Sequence, residues 1–216
     1  MNDTQLRQLV IDELEFEPSI DASHIGVAAS AGVITLTGHV RTYAEKVAAM
    51  KAARRVKGVR AIAQEMEVHY PGEMKTADEE IAKRILSVLK WDAMIPDDKV
   101  KVTVQKGWVN LSGGLDWQYQ KNAAEDAARR LTGVIGVTNA IAVKPPVQAG
   151  DIKKKIEAAL ARNAHVEAEG IRIDVLNNRV SLEGVVDSWE DRDIVENAAW
   201  SVPGVLAVDD RLVIAA

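Results

Sequence analysis

The stretch Ile34-Thr35-Leu36-Thr37-Gly38 is the first of three near-copies that decide the fold of this 216-residue chain. The other two read Val109-Asn110-Leu111-Ser112-Gly113 and Val180-Ser181-Leu182-Glu183-Gly184. A glycine followed by valine comes 20 residues after each copy (58 − 38, 133 − 113 and 204 − 184), at Gly58, Gly133 and Gly204. The copies are offset by 75 and then 71 residues (113 − 38 and 184 − 113). This periodicity predicts three small modules built on one plan.

The same order of elements is predicted around each copy. Apolar residues four apart predict a first helix, at Leu6, Val10, Leu14, at Ile81, Ile85, Leu89 and at Ile152, Ile156, Leu160. Two alternating segments then flank a turn, at Ala31-Gly32, Lys106-Gly107 and Asn177-Asn178. Glycine and asparagine there suit the positive φ of a tight hairpin. An alanine-rich second helix follows, with Thr42-x-x-Glu45 as a capping box in the first copy. We expect Gly58, Gly133 and Gly204 to end that helix as left-handed C′ residues, before an alternating last strand.

The predicted fold class is α+β, with three tandem α-β-β-α-β modules. Each is expected to be a three-stranded mixed sheet with two helices on one face, over residues 1–70, 76–144 and 149–216. Pro71-Gly72 and Pro145-Pro146 mark the linkers, and Thr76 with Glu79 looks like a second capping box. Because modules of about 70 residues are marginal alone, packing between modules is also expected.

Composition and charge restrict the function. The chain has no cysteine and a net charge of −5. Basic against acidic residues number 8 to 9 over 1–70, 11 to 10 over 71–145 and 8 to 13 over 146–216. This acidic balance argues against nucleic-acid binding, which needs a basic surface. No apolar run reaches the roughly 18 residues of a membrane span, and the first residues do not resemble a signal peptide, so a cytoplasmic location is expected.

The repeated motifs resemble the BON (bacterial OsmY and nodulation) domain. The resemblance rests on the Leu-x-Gly stretches and on a second motif that ends in an alternating strand. That second motif reads Val56-Lys-Gly-Val-Arg-Ala-Ile62, Leu131-Thr-Gly-Val-Ile-Gly-Val137 and Val202-Pro-Gly-Val-Leu-Ala-Val208. The resemblance to this domain covers essentially the whole chain, three times.

The resemblance implies a non-enzymatic binding or scaffold protein of osmotic or envelope stress, whose partner is an anionic phospholipid surface or another protein. It also implies that Gly38, Gly58, Gly113, Gly133, Gly184 and Gly204 are structural. One relative binds potassium in the cytoplasm, so a cation sensor is the alternative. An enzyme without a recognisable motif is the third hypothesis. No cofactor is expected.

The candidate lipid-binding residues are basic and cluster at the end of the second helix: Arg54, Arg55, Lys57, Arg60, Arg129 and Arg130. At the positions of the arginine pair, the third copy has Trp200 and Ser201. Positive charge near an anionic surface contributes about 1 kcal/mol per residue. The competing interpretation is favourable charge at a helix C-terminus.

Two further expectations concern histidine and tryptophan. His24, His39, His69 and His165 are dispersed in the sequence, and a metal site needs convergent ligands, so no tight transition-metal site is expected. Trp108, Ala140 and Ala142 share the predicted helix-free face of the middle module. An apolar patch of this kind predicts that a neighbour covers it.

Overall fold

The protein is described by a computed structural model covering residues 2–69, 77–144, 151–163 and 170–215. The predicted linkers Pro71-Gly72 and Pro145-Pro146, together with Thr76, lie outside these residues. The chain forms two compact units, residues 1–112 with 123–140 and residues 113–122 with 141–216. The first unit contains the whole of the first module, and the second contains the whole of the third.

Each module contains the elements predicted for it. The first has α1 (Asp3–Phe16), β1 (Ile25–Ser30), β2 (Val33–Val40), α2 (Tyr43–Arg55) and β3 (Ala61–Val68). The second has α3 (Asp78–Trp91), β4 (Val100–Gln105), β5 (Trp108–Leu115), α4 (Gln118–Arg129) and β6 (Gly136–Val143). The third has α5 (Ile152–Leu160), β7 (Ile171–Leu176), β8 (Arg179–Val186), α6 (Trp189–Trp200) and β9 (Ala207–Ile214).

Three separate sheets of three strands form, in the orders β1-β2-β3, β4-β5-β6 and β7-β8-β9. In the first module β1 and β2 are antiparallel, with Ile25 opposite Gly38. Strands β2 and β3 are parallel, from the pair Val33–Ala61 to the pair Val40–Val68. The third module repeats this pattern, with Ile171 opposite Gly184. The α+β class and the tandem modules are therefore confirmed.

The helical stripes predicted from the sequence form the cores. Leu6, Val10 and Leu14 are buried on α1, and Ile152, Ile156 and Leu160 are buried on α5. In the first module, the three residues of α1 join the sheet residues Ile34 and Leu36 and the alanines of α2 in one apolar cluster. In the first and third modules both helices thus pack against one face of the sheet, which leaves the other face without a helix.

The hairpin turns have the backbone that their residues predict. Both central residues have positive φ at Ala31-Gly32, Lys106-Gly107 and Asn177-Asn178. This is the turn that matches the right-handed twist of the flanking strands. Asp3 of α1 holds the first turn, because its carboxylate accepts a 2.9 Å hydrogen bond from the Ala31 amide. Asp78 of α3 holds the turn of the second module, because its carboxylate accepts hydrogen bonds from the amides of Lys106 at 2.7 Å and Gly107 at 2.8 Å.

The glycine of the second motif lies farther from the end of the second helix of its module than predicted. Gly58, Gly133 and Gly204 do have positive φ, but the C-caps are Val56 in the first module and Ser201 in the third. The valine amide after each glycine donates to a carbonyl three residues earlier, at 3.2, 3.3 and 3.3 Å. Each glycine is therefore the third residue of a tight turn, where positive φ is required. The valine that follows is buried in every module.

The predicted capping box of α2 is only half formed. Thr42 accepts the Glu45 amide at 3.1 Å, but the Glu45 carboxylate does not return to the Thr42 amide. It instead accepts the amides of Asp21 at 2.8 Å and Arg41 at 2.7 Å. Glu45 is 8% exposed, and it joins the segment before β1 to the end of β2.

That a neighbour covers the helix-free face of the middle module stays a prediction. Trp108 is 50% exposed, and Ala140 and Ala142 are exposed too. The indole lies over Gly136, where an added Cβ would come within 2.5 Å of the ring. Its Nε1 donates to Thr138 Oγ1 at 2.9 Å. The absence of a side chain at Gly136 thus lets Trp108 pack on its own sheet.

Candidate binding surface

The turn after α2 presents the basic residues that the sequence singles out. The chain turns at residues 56–59, and the Arg60 amide then donates to the Gly32 carbonyl at 2.8 Å. The Arg60 side chain lies against Gly32, where an added Cβ would come within 2.8 Å of Arg60 Cδ. Lys57 and Arg60 are both exposed. Among the residues that the structure describes, neither side chain makes an ion pair. We call this surface the basic turn.

Arg55 has a different role from its neighbours in the sequence. Its guanidinium makes ion pairs with Glu13 at 2.7 Å and with Glu17 at 3.0 Å. These hydrogen bonds, that to Glu13 first, raise the pKa of Arg55 above its ordinary value. Arg55 therefore ties the end of α2 to the end of α1. The interpretation as a structural helix-end charge fits this residue better than lipid binding.

The second module presents less free positive charge at this place. Arg129 is paired with Asp126, one turn earlier on α4, and is largely shielded from solvent. Arg130 is exposed. In the third module the turn reads Val202-Pro-Gly-Val205 and carries no charge. The strongest candidate surface is thus confined to the first module, where Arg54 is also exposed but has a bonded partner.

The structure brings three histidines together that looked dispersed in the sequence. The rings of His24 and His39 stack at 4.6 Å between centroids, and those of His39 and His69 at 5.4 Å. His24 precedes β1, His39 lies in β2 and His69 follows β3. The predicted α-β-β-α-β order already places these three positions at one end of the sheet, so the topology was the signal that could have revealed the cluster. His165 lies outside the described residues.

Two kinds of feature are absent from the described part of the chain. No group of three or more His, Cys, Asp or Glu residues there could hold a metal ion. No described helix is long and apolar enough to cross a membrane.

Comparison with known proteins relates the whole chain to one family. The family model described as "BON domain" matches residues 2–70, 77–145 and 148–216. The chain is also similar to the Osmotically-inducible protein Y of Escherichia coli (strain K12). The two are 31% identical over 153 residues, which cover 67% of this chain and 74% of that protein.

Two solved structures of CdsD, a structural protein of the type III secretion system of Chlamydia trachomatis, align over the length of this chain. The first is 14% identical, covers 98% of this chain and 92% of its own, and has a TM-score of 0.27. The second, a C-terminal domain, is 14% identical, covers 100% of both chains and has a TM-score of 0.26. TM-scores this low establish no structural relationship.

Proposed function

The chain belongs to the BON domain family, and on that basis we propose that it is a non-enzymatic osmotic-stress protein that associates with anionic phospholipid surfaces through its basic turn. Similarity to a protein named as osmotically inducible supports the stress role. The observation that carries the lipid association is the pair Lys57 and Arg60, exposed together beside the first hairpin.

Charge distribution supports an oriented association. The chain is acidic overall, and residues 146–216 contribute −5 of its charge (8 basic minus 13 acidic). An anionic surface therefore repels the third module and attracts the basic turn. The attraction acts over about 8 Å at physiological ionic strength, so only charges that reach the surface contribute. Lys57 and Arg60 meet this condition because they project from a turn.

The backbone of the basic turn is well anchored. The Val59 amide closes it onto Val56 at 3.2 Å, and Arg60 is held to Gly32. Val59 itself is buried in the core. Little backbone freedom would be lost on binding, so weak electrostatic contacts are not offset by the entropy of ordering a loop. Lys57 and Arg60 are both exposed, which suits a headgroup layer better than an enclosed small-molecule substrate.

Co-sedimentation with vesicles tests the proposal. The full chain is mixed with phosphatidylglycerol or phosphatidylcholine vesicles at low and at physiological salt. We expect binding to phosphatidylglycerol at low salt that weakens as salt is raised. Lys57→Glu/Arg60→Glu should weaken that binding at least about 30-fold, because each cation contributes about 1 kcal/mol and is replaced by an anion. Arg55 and Arg129 are left unchanged, since their ion pairs stabilise the modules.

The matched control is Lys155→Glu/Arg179→Glu, which makes the same change in net charge at exposed positions of the third module. It should bind vesicles nearly as well as the wild type. The proposal fails if the wild type does not bind phosphatidylglycerol vesicles at low salt. It also fails if both double variants lose binding equally, since total charge and not the basic turn would then decide.

A further inference from the structure

A cleft of about 510 Å³ lies in the second compact unit, between the start of α4 and the end of α6. Its volume falls within the range of about 300–1,000 Å³ that is typical of small-molecule sites. Besides a serine hydroxyl, three aromatic rings and three carboxamides line it: Trp117, Tyr119 and Trp200, with Gln118, Asn122 and Asn197. This cleft shares no residue with the basic turn.

The lining of the cleft carries no charge at neutral pH, although 27% of the residues of the chain are charged. The end of α6 contributes Asn197, Trp200 and Ser201. With the offsets of 75 and 71 residues, the same three positions are charged in both other modules: Lys51, Arg54 and Arg55, and Asp126, Arg129 and Arg130. All three modules nevertheless form this helix. The fold therefore does not require neutral residues there, and their presence in one module points to a ligand of that module.

Trp200 is held in place at one side of the cleft. Its indole Nε1 donates to Glu196 Oε1 at 3.2 Å, and its ring packs against the apolar core of the third module. Because the N–H is used within the protein, the ring itself is what remains for contact with a ligand. Tyr119 is exposed, so a ligand that fills the cleft would cover ring surface that water now touches, which is favourable.

The polar groups of the cleft have hydrogen-bonding capacity left over. Gln118 Nε2 donates to Asn122 Oδ1 at 3.1 Å, but Gln118 Oε1 is buried without a partner in the described part of the chain. The Trp117 indole N–H, the Tyr119 hydroxyl and the Asn197 carboxamide also make no hydrogen bond to any described residue. An unpaired buried acceptor is unusual, and together with the three free groups it indicates a surface that can bond a polar molecule.

This combination of groups selects an uncharged polar ligand. A charged ligand would lose hydration without meeting an opposite charge in the lining, and an apolar ligand would leave the carboxamides that it covers without partners. A nucleotide is disfavoured for the first reason, because no cation in the lining faces its phosphate. A sugar ring meets both conditions, since its C–H faces pack on aromatic rings and its hydroxyl groups both donate to and accept from carboxamides.

We propose that this cleft binds a neutral saccharide, with Tyr119 and Trp200 as the stacking surfaces. Asn197 and the Trp117 indole N–H bond to the hydroxyl groups of the sugar. The site is a second binding function, separate from the association with anionic phospholipid.

Nuclear magnetic resonance of the full ¹⁵N-labelled chain tests the site through its five tryptophan indole N–H signals. The chain is titrated separately with maltose, cellobiose, trehalose and N,N′-diacetylchitobiose. At least one of these disaccharides should shift the signals of Trp117 and Trp200 in a saturable way, while those of Trp91, Trp108 and Trp189 stay in place. The proposal is overturned if none of the four does so, or if adenosine shifts the same two signals at a lower concentration than every disaccharide.

Two variants locate the binding, measured with the disaccharide that shifts the signals. Tyr119→Ala should weaken it by about tenfold, within the range that stacking on an aromatic side chain contributes. Trp91→Ala is the matched control, because it removes an exposed aromatic side chain outside the cleft, and it should leave the affinity unchanged. Wild-type affinity in Tyr119→Ala, or equal losses in both variants, overturns the proposal. Because the cleft and the basic turn have no residue in common, failure of one site leaves the result for the other untouched.

Discussion

Gly38 lies so close to His24 that a Cβ at Gly38 would overlap the His24 carbonyl oxygen. Its φ of +102° is also one that side-chain-bearing residues rarely adopt. Gly184 stands in the same relation to the Gly170 carbonyl, with φ of +146°. The glycine of the Leu-x-Gly motif therefore lets the antiparallel neighbour approach where β2 and β8 pass it. This steric need is a physical reason for the motif's recurrence.

Gly38→Ala should destabilise the first module by about 2 kcal/mol or more, because a strained φ alone costs about 1–3 kcal/mol. The measurement is urea unfolding followed by circular dichroism. Gly114→Ala is the control, since its nearest neighbours would be 3.6 Å or more from the new Cβ. It should change stability by no more than about 0.5 kcal/mol. Equal effects of the two substitutions would contradict the role assigned to Gly38.

Glu45 and Gln120 stand at equivalent positions of successive modules and share only the amide of the residue after β2 or β5, since Glu45 accepts the Arg41 amide on Oε2 and the Asp21 amide on Oε1. Gln120 Oε1 accepts the amides of Asp116 at 3.2 Å and Trp117 at 3.1 Å, and both side chains are 8% exposed. Glu45→Gln keeps an acceptor for only one of the two amides and turns a donor toward the other, so it should cost about 1 kcal/mol or more. Glu45→Ala leaves two amides without an acceptor and should cost about 2 kcal/mol or more. Chemical unfolding of both variants checks this, and a Gln variant as stable as the wild type would contradict the need for two acceptor oxygens.

The pH dependence of stability should include a contribution from Glu17. The Ser19 hydroxyl and the Arg55 guanidinium both donate to its carboxylate, at 2.8 and 3.0 Å, and in that order they lower the pKa of Glu17. A carboxyl whose pKa is lower in the folded state stabilises the protein above its unfolded pKa, and the stabilisation is lost as pH falls through the folded value. Glu17→Gln should thus lower the Tm at pH 7, by a small amount because the pair is exposed.

The difference in Tm between wild type and Glu17→Gln should then shrink as the pH is taken below about 4, under the ordinary glutamate pKa. Scanning fluorimetry from pH 7 to pH 3 measures it. Glu15→Gln, an exposed neighbour on α1, should show no such loss at either end of the range. A difference that grows in acid would have the wrong sign for this explanation.

Local pattern was sufficient to predict the scaffold. The spacing of Leu6, Val10 and Leu14 is a direct consequence of helical geometry, and Ala31-Gly32 is a steric solution to a tight turn. The use of Glu45 could not be predicted in the same way. Its partners, Asp21 and Arg41, are brought to it by the folding of β1 and β2. The capping pattern instead predicts that the Thr42 amide donates to the Glu45 carboxylate.

The basic residues show the same limit more sharply. Arg54, Arg55, Lys57 and Arg60 are equivalent in a charge count, yet Arg55 is occupied by Glu13 and Glu17 from another helix. Such ion pairs depend on how α1 and α2 pack, and the sequence shows only that both helices exist. The histidine cluster was hidden for a related reason: its members are far apart in the chain and adjacent only across strands.

Site-specific fluorescence tests the central claim, that the basic turn is what meets an anionic surface. Because the chain has no cysteine, a single cysteine at Ala61→Cys can carry an environment-sensitive nitrobenzoxadiazole label next to Arg60. Ala207→Cys places the same label at the equivalent position of the third module, where the turn has no charge. With phosphatidylglycerol vesicles at low salt, the label at position 61 should brighten and shift to shorter wavelength, and salt should reverse the change. The label at position 207 should not respond. Equal responses at both positions, or none at position 61, would contradict the account.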